Sequence, residues 1–184
     1  SCIMSSTTST QYDKAIALCK DIYLKKMKDY GSAWRILRPS SLTDQIYIKA
    51  QRIRSIEEKG SQKVIDAIEG EFIGIVNYAV MALIQINLHS DAPLELGHDE
   101  GVKYFESNVA QVKALMMDKN HDYGEAWREM RVSSMTDLIL MKLLRIKQIE
   151  DNSGSTLISE GVDANYADII NYAIFALIKL EEKK

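Results

Sequence analysis

The chain has few of the residues that interrupt helices or cross-link a fold. Only 2 of its 184 residues are proline, 9 are glycine and 2 are cysteine. It also lacks the alternation of β-branched residues that is typical of strands, whereas apolar residues recur at the three-and-four spacing of amphipathic helices. Cys2 and Cys19 give no support for a disulfide framework and favour a reducing compartment. These absences predict an all-α, cytoplasmic protein.

Charge and hydropathy argue against two classes of partner. The chain has 23 Lys and Arg residues against 26 Asp and Glu residues, so it lacks the basic excess that binding to duplex nucleic acid needs. Its longest apolar run, 72–86, is too short to cross a bilayer. Residues 1–11 are rich in Ser and Thr and predict a disordered leader rather than a signal peptide. We therefore expect neither duplex nucleic acid nor a membrane as a partner.

The strongest pattern in the sequence is an internal duplication. The stretch from Asp29 to Asp44 recurs 93 residues later, and residues 26–57 match residues 119–150 at 18 of 32 positions. The match resumes at Asn77 and Asn171, where the offset has become 94 because a loop has gained one residue.

The duplication predicts the domain organisation. We expect a single helical domain at 12–184, made of two tandem repeats at approximately 12–90 and 100–184. A half of this size leaves an apolar face uncovered, so the repeats should pack on each other about a pseudo-two-fold axis. The predicted architecture is a helical bundle of two pseudo-symmetric repeats with about three main helices each.

Local signals place the helix ends. Gly31 and Gly124 can take the positive φ that ends a helix. Ser41 and Asp44 have the spacing of a capping box, which predicts that the second helix begins near Thr43, and the second repeat carries the same signal. The predicted helices are 13–28, 43–58, a third from 63 or 69 to 88, then 102–119, 136–151 and a last one ending at 180.

Cations that lie beside the apolar stripe of the second helix in each repeat are the first candidate site. They suggest an anion site, because Arg forks onto phosphate and Lys adds a point charge. The alternative is that their stems cover the core while their charged ends pair with acids of the following helix. The candidate phosphate ligands are Lys49, Arg52, Arg38, Lys142, Arg145 and Arg131.

Acidic residues of the last helix form the second candidate site. If that helix begins as early as Glu160, then Glu160, Asp163 and Asp168 share one face and could present oxygens to Mg²⁺. The alternative is that these acids favour a helix N-terminus. Asp168 has no acidic twin, because Gly74 stands at its place in the first repeat. This mismatch predicts that the second repeat holds the better site.

Repeated aromatic residues are the third candidate. Trp34, Trp127, Tyr30 and Tyr123 lie in the most strongly repeated stretch. They could stack on a base, or they could fill the corner between helices.

The text Asp122-Tyr123-Gly124, followed by Trp127 and by Asp168-Ile169-Ile170-Asn171-Tyr172-Ala173, resembles the nucleotide modification associated domain family. The resemblance covers both repeats. It implies a helical protein of phage and bacterial genomes that is linked to nucleotide or DNA modification. More distantly, the helices are similar to those of all-α MazG-type nucleotide pyrophosphohydrolases, because acids three residues apart recur at Asp66 and Glu69 and at Glu160 and Asp163. Lys49 and Arg52 stand where that class needs another acidic pair.

Two functions are open at this point. The first is binding of a nucleotide or other phosphorylated small molecule, extended by the resemblance to a Mg²⁺-dependent nucleotide pyrophosphohydrolase with metal-held water as the nucleophile. The second is a non-catalytic helical binding or scaffold module. Association into a homo-oligomer is compatible with both.

Overall fold

The computed structural model of the protein describes residues 2–60, 64–88, 91–152 and 161–184, with the side chains of residues 2–6 and 120–123 left out. These ranges contain six main helices and no strand. The all-α prediction and its six helices are therefore confirmed. The helices are α1 (Cys2–Tyr30), α2 (Pro39–Lys59), α3 (Val64–Asn87), α4 (His98–Tyr123), α5 (Val132–Asp151) and α6 (Val162–Glu182), with 3₁₀ turns at Ala33–Ile36 and Ala126–Glu129.

The helices pair as two equivalent halves should. Each helix of the first repeat contacts its counterpart, so that α1 meets α4, α2 meets α5 and α3 meets α6. The crossed contacts are reciprocal as well, because α1 touches α6 and α3 touches α4. Such self-matching contacts are the signature of two-fold packing. The two repeats share one apolar core, whose centre is formed by α3 and α6.

The corners after α1 and α4 are built as the glycines predict. Gly31 and Gly124 have φ of 61° and 68°, which is a conformation that side chains with a Cβ disfavour. Each glycine is followed by a 3₁₀ turn that carries the repeated tryptophan. The corner thereby turns the chain from the outer helix of a repeat into its second helix.

The capping-box prediction is wrong. Helix α2 begins at Pro39 and α5 at Val132, and neither start has a side-chain cap. Proline presets the helical φ at the first position and needs no donor there, so the helix starts a full turn before Thr43. The Thr43 hydroxyl instead lies 3.1 Å from the carbonyl oxygen of Pro39. Thr43 is a buried residue inside the helix.

The prediction of a disordered leader at 1–11 is also wrong for the described residues. Helix α1 begins at Cys2, and Thr8 is fully buried. This part of α1 is held by hydrogen bonds to the second repeat. Arg128 donates to Thr8 Oγ1 at 2.9 Å and to Gln11 Oε1 at 2.6 Å. A helix that is docked by hydrogen bonds needs no apolar run, which is why the hydropathy pattern missed it.

Helix α3 is the most apolar element. By length and composition alone it could cross a membrane, but 61% of its most apolar window is buried inside the protein. Phe72, Ile75 and Val76 are fully buried. The burial is that of a core helix.

Candidate functional site

In the first repeat, the two candidate cations of α2 meet one acid of α3. Lys49 Nζ lies 3.3 Å from Glu71 Oε2, and Arg52 Nη1 lies 3.5 Å from Glu71 Oε1. Lys49 also lies over the ring of Tyr78, 5.8 Å from its centre. The expectation that these cations pair with an acid of the following helix is met here, and that acid is Glu71. Glu69 of the same helix pairs with Lys184.

In the second repeat, the lysine of α5 meets an acid one helical turn further along. Lys142 Nζ and Lys119 Nζ each lie 2.9 Å from one oxygen of Asp168. The Lys142 side chain is only 8% exposed and that of Asp168 13%, whereas that of Lys119 is 53% exposed. Arg145, on the exposed face of α5, also has an interaction partner. Asp168 and Lys142 are thus a nearly buried ion pair.

The structure does not bring the candidate metal ligands together. Asp163 lies on the exposed first turn of α6, while Asp168 faces Lys142 and Lys119. Glu160 lies outside the described residues. Within the described ranges no group of three or more His, Cys, Asp and Glu side chains is placed to hold a metal ion. Mg²⁺ stays a prediction.

Arg38 and Arg131 occupy equivalent places. Each is exposed and directly precedes the first residue of its helix, α2 or α5. Neither side chain has a hydrogen-bond or ion-pair partner among the described residues, which sets both apart from the other four candidate cations. Arg131 lines a large cavity.

That cavity, here called the inter-repeat cavity, lies between the two halves and has a volume of about 490 Å³. Three cations line it: Arg131 before α5, and Lys179 and Lys183 at the end of α6. Lys179 donates one hydrogen bond, 2.7 Å long, to the carbonyl oxygen of Arg128. Glu57 of α2 is the acid in the lining. The apolar floor is formed by Val64, Ile65, Ile68, Met130, Val132 and Leu180.

Two threonine–glutamate contacts join the repeats, and one of them involves Glu57 of the cavity lining. The Thr136 hydroxyl lies 3.2 Å from Glu57 Oε2, and the Thr43 hydroxyl lies 3.3 Å from Glu150 Oε2. Burial raises the pKa of both carboxyl groups, and the threonine hydroxyl opposes that rise by donating to the charged form. The two contacts differ in one respect: the Tyr166 hydroxyl hydrogen-bonds to Thr43, whereas the equivalent residue for Thr136 is Phe72, which has no hydroxyl.

Two further clefts occupy equivalent places, one in each repeat. The cleft of the first repeat has a volume of about 190 Å³ and is lined by Lys26, Asn77 and Tyr78 among others. The cleft of the second repeat has about 290 Å³ and is lined by the equivalent Lys119, Asn171 and Tyr172.

The asparagines of these clefts are structural. Asn77 Nδ2 donates to the carbonyl oxygen of Cys19 at 2.9 Å, and Asn171 Nδ2 donates to that of Val112 at 3.3 Å. Each of these bonds ties the core helix of a repeat to its outer helix.

The repeated tryptophans pack within their own halves. Trp127 is buried and stacks on Phe175, with ring centres 4.4 Å apart, and Arg128 covers it at 4.3 Å. Trp34 is half-buried and lies 6.5 Å from Tyr23. Tyr30 is 72% exposed. The Tyr123 side chain lies outside the description.

The comparison with known families coincides with the two repeats. A family model described as nucleotide modification associated domain 1 matches residues 26–86 and 119–180. The two segments together cover more than half of the chain. The protein belongs to the nucleotide modification associated domain 1 family. No curated protein and no solved structure matches it. The distant similarity to MazG-type enzymes therefore stays a prediction.

The matched segments of the nucleotide modification associated domain 1 family include residues that the sequence analysis missed. The ion pairs of Glu71 and Lys119 were not predicted, because their partners lie on other helices. Lys179 was missed because its counterpart in the first repeat is Gln85. Glu57 carried a usable signal, since both Glu57 and Thr43 recur in the second repeat at the same offset.

Proposed function

We propose that the protein binds a nucleotide, or another phosphorylated small molecule, in the inter-repeat cavity. The observation that carries this proposal is Arg131, an exposed arginine without a partner in the described ranges, at a cavity with two further cations. Arginine presents a planar set of donors that matches phosphate oxygens. Lys179 and Lys183 add positive charge at the same place.

The cavity suits an organic phosphate better than a bare anion. Its volume of about 490 Å³ lies within the range of small-molecule sites, and its floor is apolar. A base or sugar can cover that floor while the phosphate meets the cations. The first backbone N–H groups of α5 beside Arg131 also favour negative charge, because they have no acceptor within the helix.

The two ends of the molecule provide a matched control. Arg38 precedes α2 as Arg131 precedes α5. The residue equivalent to Lys179 in the first repeat is Gln85, which donates to the carbonyl oxygens of Arg35 and Leu37 at 2.7 Å. The first repeat therefore has the arginine without this second cation.

The test is thermal unfolding with a panel of ribo- and deoxyribonucleoside mono-, di- and triphosphates, with and without Mg²⁺. A ligand at a hundred times its dissociation constant should stabilise the protein by about 2.7 kcal/mol. Arg131→Ala should abolish the shift and Arg38→Ala should leave it unchanged. The proposal fails if no nucleotide shifts the transition at millimolar concentration, or if the two variants respond alike.

The same set of nucleotides also tests whether the protein hydrolyses a bound nucleotide. Release of pyrophosphate or phosphate in the presence of Mg²⁺ would extend the proposal to a nucleotide pyrophosphohydrolase. Recovery of unchanged nucleotide would limit it to binding.

A non-catalytic scaffold is the second candidate, and the internal ion pairs favour it. Lys49, Arg52 and Lys142 are all engaged by acids of the neighbouring helix. Cations that are used in this way stabilise packing and leave little charge for a ligand. Under this function the nucleotide panel gives no shift, while variants of these pairs still lower the transition temperature.

A further inference from the structure

The cleft of the second repeat is lined among others by Trp127, Asp168 and Tyr172. Its carboxylate, Asp168, has hydrogen-bonding capacity left beyond its partners among the described residues. Each oxygen of Asp168 lies 2.9 Å from one lysine ammonium group. A carboxylate has about four lone-pair positions, so each oxygen can accept one more bond. Asp168 lines the cleft with 13% of its side chain exposed. The open lone pairs of Asp168 can accept hydrogen bonds from a ligand.

The cleft also offers flat apolar surface. Trp127 lines it with a ring that is 6% exposed and packs against Phe175 and Arg128. Tyr172 is half-buried, lines the same cleft and provides a ring for stacking.

The first repeat lacks this arrangement. Gly74 replaces Asp168, and a side chain at position 74 would begin 2.7 Å from Lys49 Cε, because the lysine stem fills that space. The cleft there is smaller, about 190 Å³ against 290 Å³. The second cleft has gained both volume and an acceptor.

We infer that the cleft of the second repeat binds a planar heterocycle with two adjacent N–H donors, which among the common nucleobases describes guanine. The ring N–H and the exocyclic amino group of guanine can donate side by side to the two oxygens of a carboxylate. The flat ring of guanine can stack on Tyr172. A cleft of about 290 Å³ lies at the small end of ligand sites and suits a single ring system.

This site is distinct from the phosphate site, and the experiment keeps them apart by using a ligand without phosphate. Guanosine and inosine are titrated into the protein by calorimetry. Inosine lacks only the exocyclic amino group, so it should bind at least about tenfold more weakly than guanosine, as expected for the loss of one hydrogen bond to a charged acceptor. Arg131→Ala should not change guanosine binding.

Two pairs of variants test the residues. Tyr172→Ala should weaken guanosine binding severalfold, while Tyr78→Ala, the equivalent change in the first repeat, should not. Asp168→Asn should abolish the preference for guanosine over inosine, because an amide cannot accept two bonds side by side. The inference is overturned if the unmodified protein gives no heat with millimolar guanosine, if inosine binds as well, or if both tyrosine variants bind equally.

Discussion

The equivalent lysines of the two repeats, Lys49 and Lys142, each pair with an acid, but the two acids come from positions that are not equivalent. In the first repeat, Glu71 engages Lys49 and position 74 is a glycine. In the second, the counterpart of Glu71 is Asn165, and Asp168 engages Lys142 from three residues further on. Three residues along a helix is close to one turn, so the acid has moved along the same face. What the duplication has kept is the pairing of the lysine, while the place of its partner has changed.

The largest expected contrast concerns the tryptophans. Trp127→Ala should lower the free energy of unfolding by about 3–5 kcal/mol, because the ring is buried against Phe175. Trp34→Ala should cost less, since Trp34 is only half-buried. Urea unfolding of both variants measures the difference. Equal losses would show that the two corners are packed alike in solution.

The second contrast concerns the acids that pair with these lysines, Asp168 and Glu71. Asp168→Ala removes a partner of Lys142, whose side chain is 8% exposed, and should cost about 3 kcal/mol because a nearly buried charge loses a neutralising partner. Glu71→Ala should cost about 1 kcal/mol or less, since Lys49 and Arg52 are 28% and 69% exposed and can be hydrated. Chemical unfolding at low salt gives both values. A larger loss for Glu71→Ala would reverse this interpretation.

A third contrast concerns one hydrogen bond. The Tyr12 hydroxyl donates to Asn171 Oδ1 at 2.7 Å, and both residues are buried. Tyr12→Phe should cost about 1–3 kcal/mol, because it leaves the amide oxygen buried without its partner. The equivalent residue in the second repeat is Phe105, so Phe105→Tyr is the complementary variant. If Tyr12→Phe melts like the unmodified protein, solvent must satisfy Asn171.

The smallest effect is the pH dependence of stability that comes from Glu57 and Glu150, and it should be equal in the two repeats. Burial raises the pKa of Glu57 and of Glu150 above the ordinary value of 4.5. The folded state therefore binds these protons more tightly. The stability they contribute is fully present below pH 4.5 and is lost as the pH rises through the raised pKa.

Glu57→Gln and Glu150→Gln remove this pH dependence. Each should raise the melting temperature at pH 7 by on the order of 1 °C, because the carboxyl groups are only partly buried. Melting curves between pH 4 and pH 8 provide the measurement. A gain in only one repeat would show that the two threonine–glutamate contacts differ.

The sequence predicted what depends on local pattern. Helix content, the duplication and the glycine corners follow from periodicity and from the conformation that Gly31 must adopt. The place of Lys142 beside an acid was also predictable, because a cation next to an apolar stripe needs a partner. These features are set by residues close together in the chain.

Features that depend on distant contacts could not be predicted in this way. The first part of α1 is tied at Thr8 to Arg128, 120 residues away in the sequence. The cations of the inter-repeat cavity come from the start of α5 and the end of α6. Lys179 has no cationic counterpart in the first repeat, so the duplication did not indicate it. Thr43 has the sequence context of a cap, but its hydroxyl meets Glu150 of the other repeat.

The bond from Tyr12 to Asn171 also bears on how the two repeats stay paired. It runs from the first repeat to the second, and in a strictly symmetric pair the same bond would form twice. Phe105 cannot supply it, and Asn77 Oδ1 has no partner among the described residues. A symmetric homodimer of single repeats would form such a bond twice or not at all. In the fused chain the covalent link holds the two halves at a high effective concentration, so one copy of the bond is compatible with a stable pair.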